Sequence, residues 1–509
     1  MRQRAHHAVI ILALLAACTA ETRAGEVWED PWIEVRSPNF VVASALGQSD
    51  TMQLVRELED FRTLVSAVTN AGVLEERIPT RVYVFKDAVA DLGLDDMVVG
   101  RFIAGMRANY AMVRRNISTS NRALQGLGYA LQFEYTAFLM RNQNVQGYPP
   151  WYGLGLASLL GTSELRGDRF IVGTAPPGSL YVLSLPGRWL PYAQVVDESR
   201  LSRTSGHDVD LYRAQSWLLV HYLSFGKPGL DFPAALKEYL ADRGQGMAPV
   251  AAFEKAFHED VGKLGNAMRR YLKQAKATSG TLKHGFEPGK LAARDLPTDE
   301  VAADLAGLAL EIRQYKAAGK YSDAALIANP DNAAAIVARA DLFKVAGRYA
   351  EAEALYSKAI ALEPDNDLHH LDFGEYWLDR TATAADESTR HDFFNKARLE
   401  FYQADKLNDH NPETLAYYGW SYLVEKTNPA KGIPTLEYAN QLLPSKVDIG
   451  LMLAQLYLAT DQPAKAHPLL QTVVTWGNKR QVEFAGKLLA DMGKASGSPR
   501  TPTAPASQP

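Results

Sequence analysis

Two four-residue segments, "NPDN" at 329–332 and "EPDN" at 363–366, lie 34 residues apart and frame the most constraining feature of this chain. Between Pro330 and Pro364 come Ala340, Gly347, Tyr349, Ala352, Tyr356 and Ala359. Apolar residues recur at helical spacing on both sides of Gly347, which describes two amphipathic helices joined by a short turn. Small side chains at Ala340, Ala352 and Ala359 let those helices cross closely. Gly347 suits the left-handed residue that ends the first helix. Pro364 stops the second, because its nitrogen carries no proton and its ring clashes with the preceding turn. A unit this small cannot bury its apolar face alone, so the chain must stack one unit on another.

This pattern resembles a tetratricopeptide repeat. Gly374 falls 34 residues after Ala340, and Gly419 follows 45 later, with the stretch "RTATAADESTR" expected as an extended turn. Ala454 follows 35 after that, and Ala466 comes twelve further on, as Ala352 follows Ala340. Upstream, Ala306 lies 34 before Ala340, but "GKYSDAALIANPDN" is about six residues short, so the first unit reads as truncated. The resemblance implies an all-α solenoid of three or four units. Such arrays bind a protein or peptide in a concave groove and carry no chemistry of their own.

The rest of the chain carries no comparable period. Its 47% hydrophobic and 22% charged residues are ordinary for a globular protein with sizeable cores. A net charge of −4 argues neither for nucleic acid nor for an acidic tail. Arg2 and Arg4 precede the ten-residue apolar run "AVIILALLAA", too short to span a bilayer and suited to a secretory leader. The run ends in Leu15-Ala16-Ala17-Cys18, which resembles a bacterial lipobox, in which the cysteine is lipidated. A plain leader cleaved after Ala20 or Ala24 is the alternative. Cys18 is the only cysteine, so no disulfide can form within the chain. The last stretch, 495–509, is rich in Pro, Ser, Ala and Thr and reads as disordered.

Residues 27–275 read as a mixed α+β domain. "WIEVRSPNFVVAS" gives two short runs around a Ser-Pro-Asn turn, a β-hairpin. "TMQLVRELEDFRTLVSAV" places Leu54, Leu58, Phe61, Leu64, Val65 and Val68 on one helical face. "TRVYVF" and "NYAMVRR" read as strands. A helix covers Thr119 to Gln143, a turn follows at Gly147, and a second helix opens at Pro149-Pro150, where proline suits the first turn. Residues 276–297 lose periodicity and read as a linker to the array at 298–494.

The pair of segments "FEYTAFLMRNQ" and "YPPWYGLGLASLLG" resembles a gluzincin-like (peptidase MA-like) metallopeptidase family found beside tetratricopeptide repeats. Its members read roughly "HEYTHFLL…PPWYxEGLAE". The resemblance extends to "PNFVV" and to "AQSWLLVHYL". In an HExxH enzyme two imidazoles four residues apart bind zinc and the intervening glutamate acts on a water. A glutamate on the next helix is the third ligand of this class. Here the resemblance puts Phe133 and Ala137 at the histidine positions, Glu134 at the general-base position and Leu154 at the third-ligand position. All three ligand positions are hydrocarbon, without a lone pair for a cation. Desolvating an ion there without new ligands costs many kcal/mol.

The sequence therefore predicts no metal and no cofactor, with Glu134 a relic. His221, on an apolar helix, reads as a core histidine. The expected protein is a non-catalytic envelope scaffold, lipid-anchored through Cys18 or soluble in the periplasm, with a peptidase-like domain and a protein-binding array. An active zinc peptidase with non-standard ligands, a plain adaptor, and a metal-independent hydrolase using Glu134 are the alternatives.

Overall fold

"TRVYVF" shows none of the apolar–polar alternation of a strand with one wet face, so it must be covered on both sides. That is where the computed structural model places it. The structure describes residues 26–69, 78–94, 100–114, 128–143, 148–166, 169–185, 189–197, 206–281 and 291–497. The leader, Cys18 and the turn at Gly147 lie outside these residues.

Strands β1 (Ile33–Arg36) and β2 (Phe40–Ser44) form the expected antiparallel hairpin. Helix α1 (Gln48–Thr69) follows, then β3 (Thr80–Phe85), β4 (Gly100–Ala104) and β5 (Asn109–Arg114). The sheet runs β4-β5-β3-β2-β1 and ends on a strand from far along the chain, β9 (Ala293–Asp295); it is parallel across β2, β3 and β5 and antiparallel at both edges. One face, with Val35, Val42, Val82, Val84 and Ala111, shares a core with Leu54, Leu58, Phe61 and Leu64 of α1. The opposite face carries Ala43, Tyr83, Phe85 and Met112. Strand β4 was not read from the sequence.

Helix α2 (Tyr129–Gln143) and α3 (Pro150–Gly161) come next; the first part of the expected long helix, 119–127, lies outside the described residues. Strands β6 (Glu164–Arg166) and β7 (Arg169–Val172) and short helices α4 (Ser179–Ser184) and α5 (Tyr192–Val196) lead to α6 (Gly206–His221). Helices α7 (Phe232–Gly244), α8 (Pro249–Phe257) and α9 (Val261–Tyr271) then close an aromatic core. There the Trp151 ring lies 5.9 Å from Tyr239, 5.5 Å from Phe253 and 5.8 Å from Phe257, each edge-on.

The stretch expected as a linker is partly built into the sheets. β8 (Thr278–Thr281) completes a small sheet beside β7, and β9 (Ala293–Asp295) pairs with β1 at the edge of the large one. Strands this short bury little and show no period, but an open edge supplies hydrogen-bond partners for their backbones.

The array holds five helical pairs rather than three or four. They are α10 (Thr298–Glu311) with α11 (Tyr315–Ala328), α12 (Ala333–Val345) with α13 (Tyr349–Leu362), α14 (Asp367–Arg380) with α15 (Glu387–Leu407), α16 (Pro412–Glu425) with α17 (Ile433–Leu442), and α18 (Val447–Ala459) with α19 (Pro463–Trp476). A last helix, α20 (Lys479–Gly497), runs three residues into the stretch expected as disordered tail, since no proline interrupts the chain between Lys479 and Pro499. The first pair is complete, not truncated. Arg313, 34 residues before Gly347, takes the same left-handed turn, with φ of 60° against 74°. The insertion near "RTATAADESTR" is one 3-10 turn plus a longer second helix, α15, capped by Asp386 on the Thr389 amide.

The first pair also covers the sheet. Val301, Leu305 and Leu308 of α10 and Ala318 and Tyr321 of α11 pack on the face of Tyr83, Phe85 and Met112. At the other end, Leu415, Leu436, Leu453 and Leu470 join the same apolar core as α1 to α9. The two halves of the chain thus share cores at both ends of the array.

Candidate functional site

Helices α2 and α3 lie antiparallel. A Cβ on Gly161, at the end of α3, would meet the Tyr129 ring at 2.9 Å and Phe133 Cβ at 3.3 Å, near the start of α2. Leu154 precedes Gly161 by two helical turns and so shares the face that meets α2. On its far side α3 crosses α6 with no room to spare: a Cβ at Gly155 would sit 2.5 Å from Ser216 O. Small residues in "GLGLAS" therefore fix how these helices pack.

Phe133 is 5% exposed, its ring 5.7 Å from that of Tyr129. The Arg213 guanidinium, from α6, lies over the Phe133 ring at 5.1 Å. Ala137 is half-buried, and its carbonyl accepts from Arg141 Nε at 3.2 Å. Leu154 is half-buried in the same apolar core. Glu134 is exposed on α2; desolvation by the surrounding protein still holds its carboxyl above the ordinary range, against the pull of Arg141 and Arg213. These residues do not fit zinc. Three hydrocarbon side chains offer no ligand, and a fixed cation stands over one of them. Among the described residues, no group of three His, Cys, Asp or Glu is placed to share a metal ion.

His221 is enclosed by the rings of Trp217, Phe225 and Tyr271, with Nδ1 2.8 Å from the Tyr271 hydroxyl. Burial lowers its pKa, which keeps the ring neutral.

In the array, Ala340, Ala352, Ala359, Ala454 and Ala466 are all fully buried. A Cβ on Gly374 would meet the Phe401 ring at 2.5 Å, and one on Gly419 would meet Gly432 O at 2.7 Å. Gly347 ends α12, where Arg348 N–H donates to Phe343 O at 2.8 Å. α13 stops at Leu362, two residues before Pro364. On the inner face, the side turned toward the α/β half and met by Arg107, the first helices of the middle three pairs carry charged residues. Asp341 on α12 accepts from the Tyr356 hydroxyl at 2.6 Å and from Lys344 at 2.9 Å, while α14 adds Asp372 and Glu375 and α16 adds Glu413.

This architecture is a tetratricopeptide-like helical repeat array built against a mixed α/β half. Solved structures of tetratricopeptide proteins are similar to it. One from Thermus thermophilus is 18% identical and covers 38% of this chain and 99% of its own, with a TM-score of 0.34. Pseudomonas aeruginosa pilF is 18% identical, covering 39% and 87%, with a TM-score of 0.32. A tetratricopeptide repeat protein from Parabacteroides merdae is 15% identical, covering 59% and 98%, at 0.30. No family model and no curated protein matches the chain.

Proposed function

We propose that this chain is a non-catalytic scaffold of the bacterial cell envelope. In this reading a metallopeptidase-like half that has lost its zinc ligands supports a repeat array that holds a protein or peptide partner. The observation that carries it is the set Phe133, Ala137 and Leu154 on the facing helices α2 and α3, with Arg213 over the Phe133 ring. A water-activating zinc needs lone pairs where this chain offers hydrocarbon and a positive charge. The leader directs the chain to the envelope, with Cys18 as lipid anchor or the mature chain free in the periplasm. Mass spectrometry of the mature N-terminus separates these two.

Two measurements test the reading. The purified full-length chain should not hydrolyse casein, with or without added zinc, and Glu134→Gln should change nothing. A photo-crosslinking residue at Asp379, one turn beyond Glu375 on α14, should trap one discrete partner in cells; the same residue at Leu399, exposed on a second helix, should not. Zinc-dependent cleavage, or equal trapping from both positions, would contradict it.

A further inference from the structure

The β4–β5 turn enters the inner face of the array. Gly105 N–H donates to Ala108 O at 3.1 Å, and a Cβ at Gly105 would lie 2.2 Å from that oxygen, so the turn requires glycine. Arg107 sits at its tip. Its Nε donates to Glu413 at 2.5 Å, Nη1 to Asp372 at 2.8 Å and Nη2 to Glu375 at 3.2 Å. Lys446, at the start of α18, donates to Ala104 O at 2.8 Å and holds the turn from the other side.

The charges do not balance. Three carboxylates face one guanidinium, and their side chains are only 10%, 20% and 12% exposed. Glu311 lies beneath the turn, 3.6 Å from where a Gly105 Cβ would stand. A contact that served only to tie two halves together would gain from matched charge, because surplus buried carboxylates repel one another. What the three carboxylates match is the shape of an arginine: a planar fork with donors pointing three ways. A lysine ammonium, a single point on a flexible stem, cannot span all three.

We propose that Asp372, Glu375 and Glu413 form an arginine-recognition pocket on the inner face of the array, filled in cis by Arg107 and open to an arginine-bearing turn of a partner protein when the β4–β5 hairpin withdraws. This rests on the reading of the array as a protein-binding scaffold. The hairpin then acts as a built-in competitor, and a partner's apparent affinity falls by the fraction of time the pocket is open.

The probe is a fluorescent synthetic peptide spanning Ala104–Tyr110, with an Arg107→Ala peptide as control. Full-length Arg107→Ala should bind the probe at least about tenfold more tightly than the native chain, by fluorescence polarisation. The control peptide should not bind. Adding Glu375→Gln and Glu413→Gln to the Arg107→Ala chain should abolish the gain. Should Arg107→Ala not fold, Arg107→Lys keeps a charge on the turn and should give an intermediate gain. Equal binding by native and variant chains, or equal binding of the two peptides, would overturn the pocket. Trapping through position 379 is a separate readout, so the scaffold reading can survive that outcome.

Discussion

The triple variant Phe133→His, Ala137→His and Leu154→Glu would place a zinc-binding set on α2 and α3. Its cost without metal follows from the packing. Phe133 is 5% exposed, and losing that burial costs about 1.5–3 kcal/mol. The Arg213 guanidinium 5.1 Å from the ring adds roughly 0.5–2 kcal/mol of cation–π attraction that is also lost. The metal-free variant should therefore be about 2–5 kcal/mol less stable than the native chain. Zinc returns about 2.7 kcal/mol at a hundred times its Kd and about 4.1 at a thousand times. Arg213 opposes it, since a fixed positive charge within several ångström of a dication costs several kcal/mol at an effective dielectric of about 20. Adding Arg213→Gln should thus strengthen zinc binding. Differential scanning fluorimetry with zinc or chelator reads this directly, at roughly 2–4 °C per kcal/mol. Zinc should raise the Tm of the triple variant by several degrees, raise that of the quadruple variant further and leave the native chain unmoved. A folded quadruple variant with no zinc-dependent shift would refute the convergence of positions 133, 137 and 154.

Gly419→Ala should destabilise by about 1–3 kcal/mol, because its Cβ meets the backbone oxygen of Gly432 at 2.7 Å and the helices must part. Gly307→Ala, in α10 with nothing within 4 Å, should instead stabilise by about 0.5–1 kcal/mol, and opposite Tm shifts check the pair. Burial raises the Asp372 carboxyl to about 6 against the pull of Arg107, and raises Glu375 as well, with Glu413 adding to burial. Unfolded carboxylates titrate near about 4, so between those values the folded chain holds more protons and stability falls as pH rises. Arg107→Ala removes the cation facing Asp372, Glu375 and Glu413, with Glu311, Asp341, Lys344, Tyr110 and Tyr417 around them. It should cost about 3–5 kcal/mol near pH 8 and clearly less near pH 5, where protonation relieves the surplus charge. An equal loss of Tm at both pH values would contradict this.

The repeat register from Ala340 to Pro364 was legible because close crossings demand Ala and Gly, and helix ends favour Gly and Pro. The first pair was misread for the same reason. Its left-handed turn is made by Arg313, a residue with no sequence signature for that conformation, so the eye moves to Gly319 and finds the unit short. Lys426 and Asp461 make the later turns in the same way. "TRVYVF" read as a strand, yet nothing in it said that α10 of the array covers one of its faces. β8 and β9 were invisible because a short strand added to an edge needs backbone partners rather than a side-chain pattern. The apolar side chains at 133, 137 and 154 were readable from the sequence. Arg213 over the Phe133 ring was not, since only the packing of α6 on α3 brings it there. Arg107 lay in an unremarked turn whose partners stand more than two hundred residues away.

Elemental analysis of the purified full-length chain, with a chelator-treated sample beside it, tests the proposed zinc-free, non-catalytic reading most directly. The account predicts zinc far below one atom per chain and the same Tm before and after chelation. About one zinc per chain, released by chelator with a fall in Tm and restored on readdition, would contradict it.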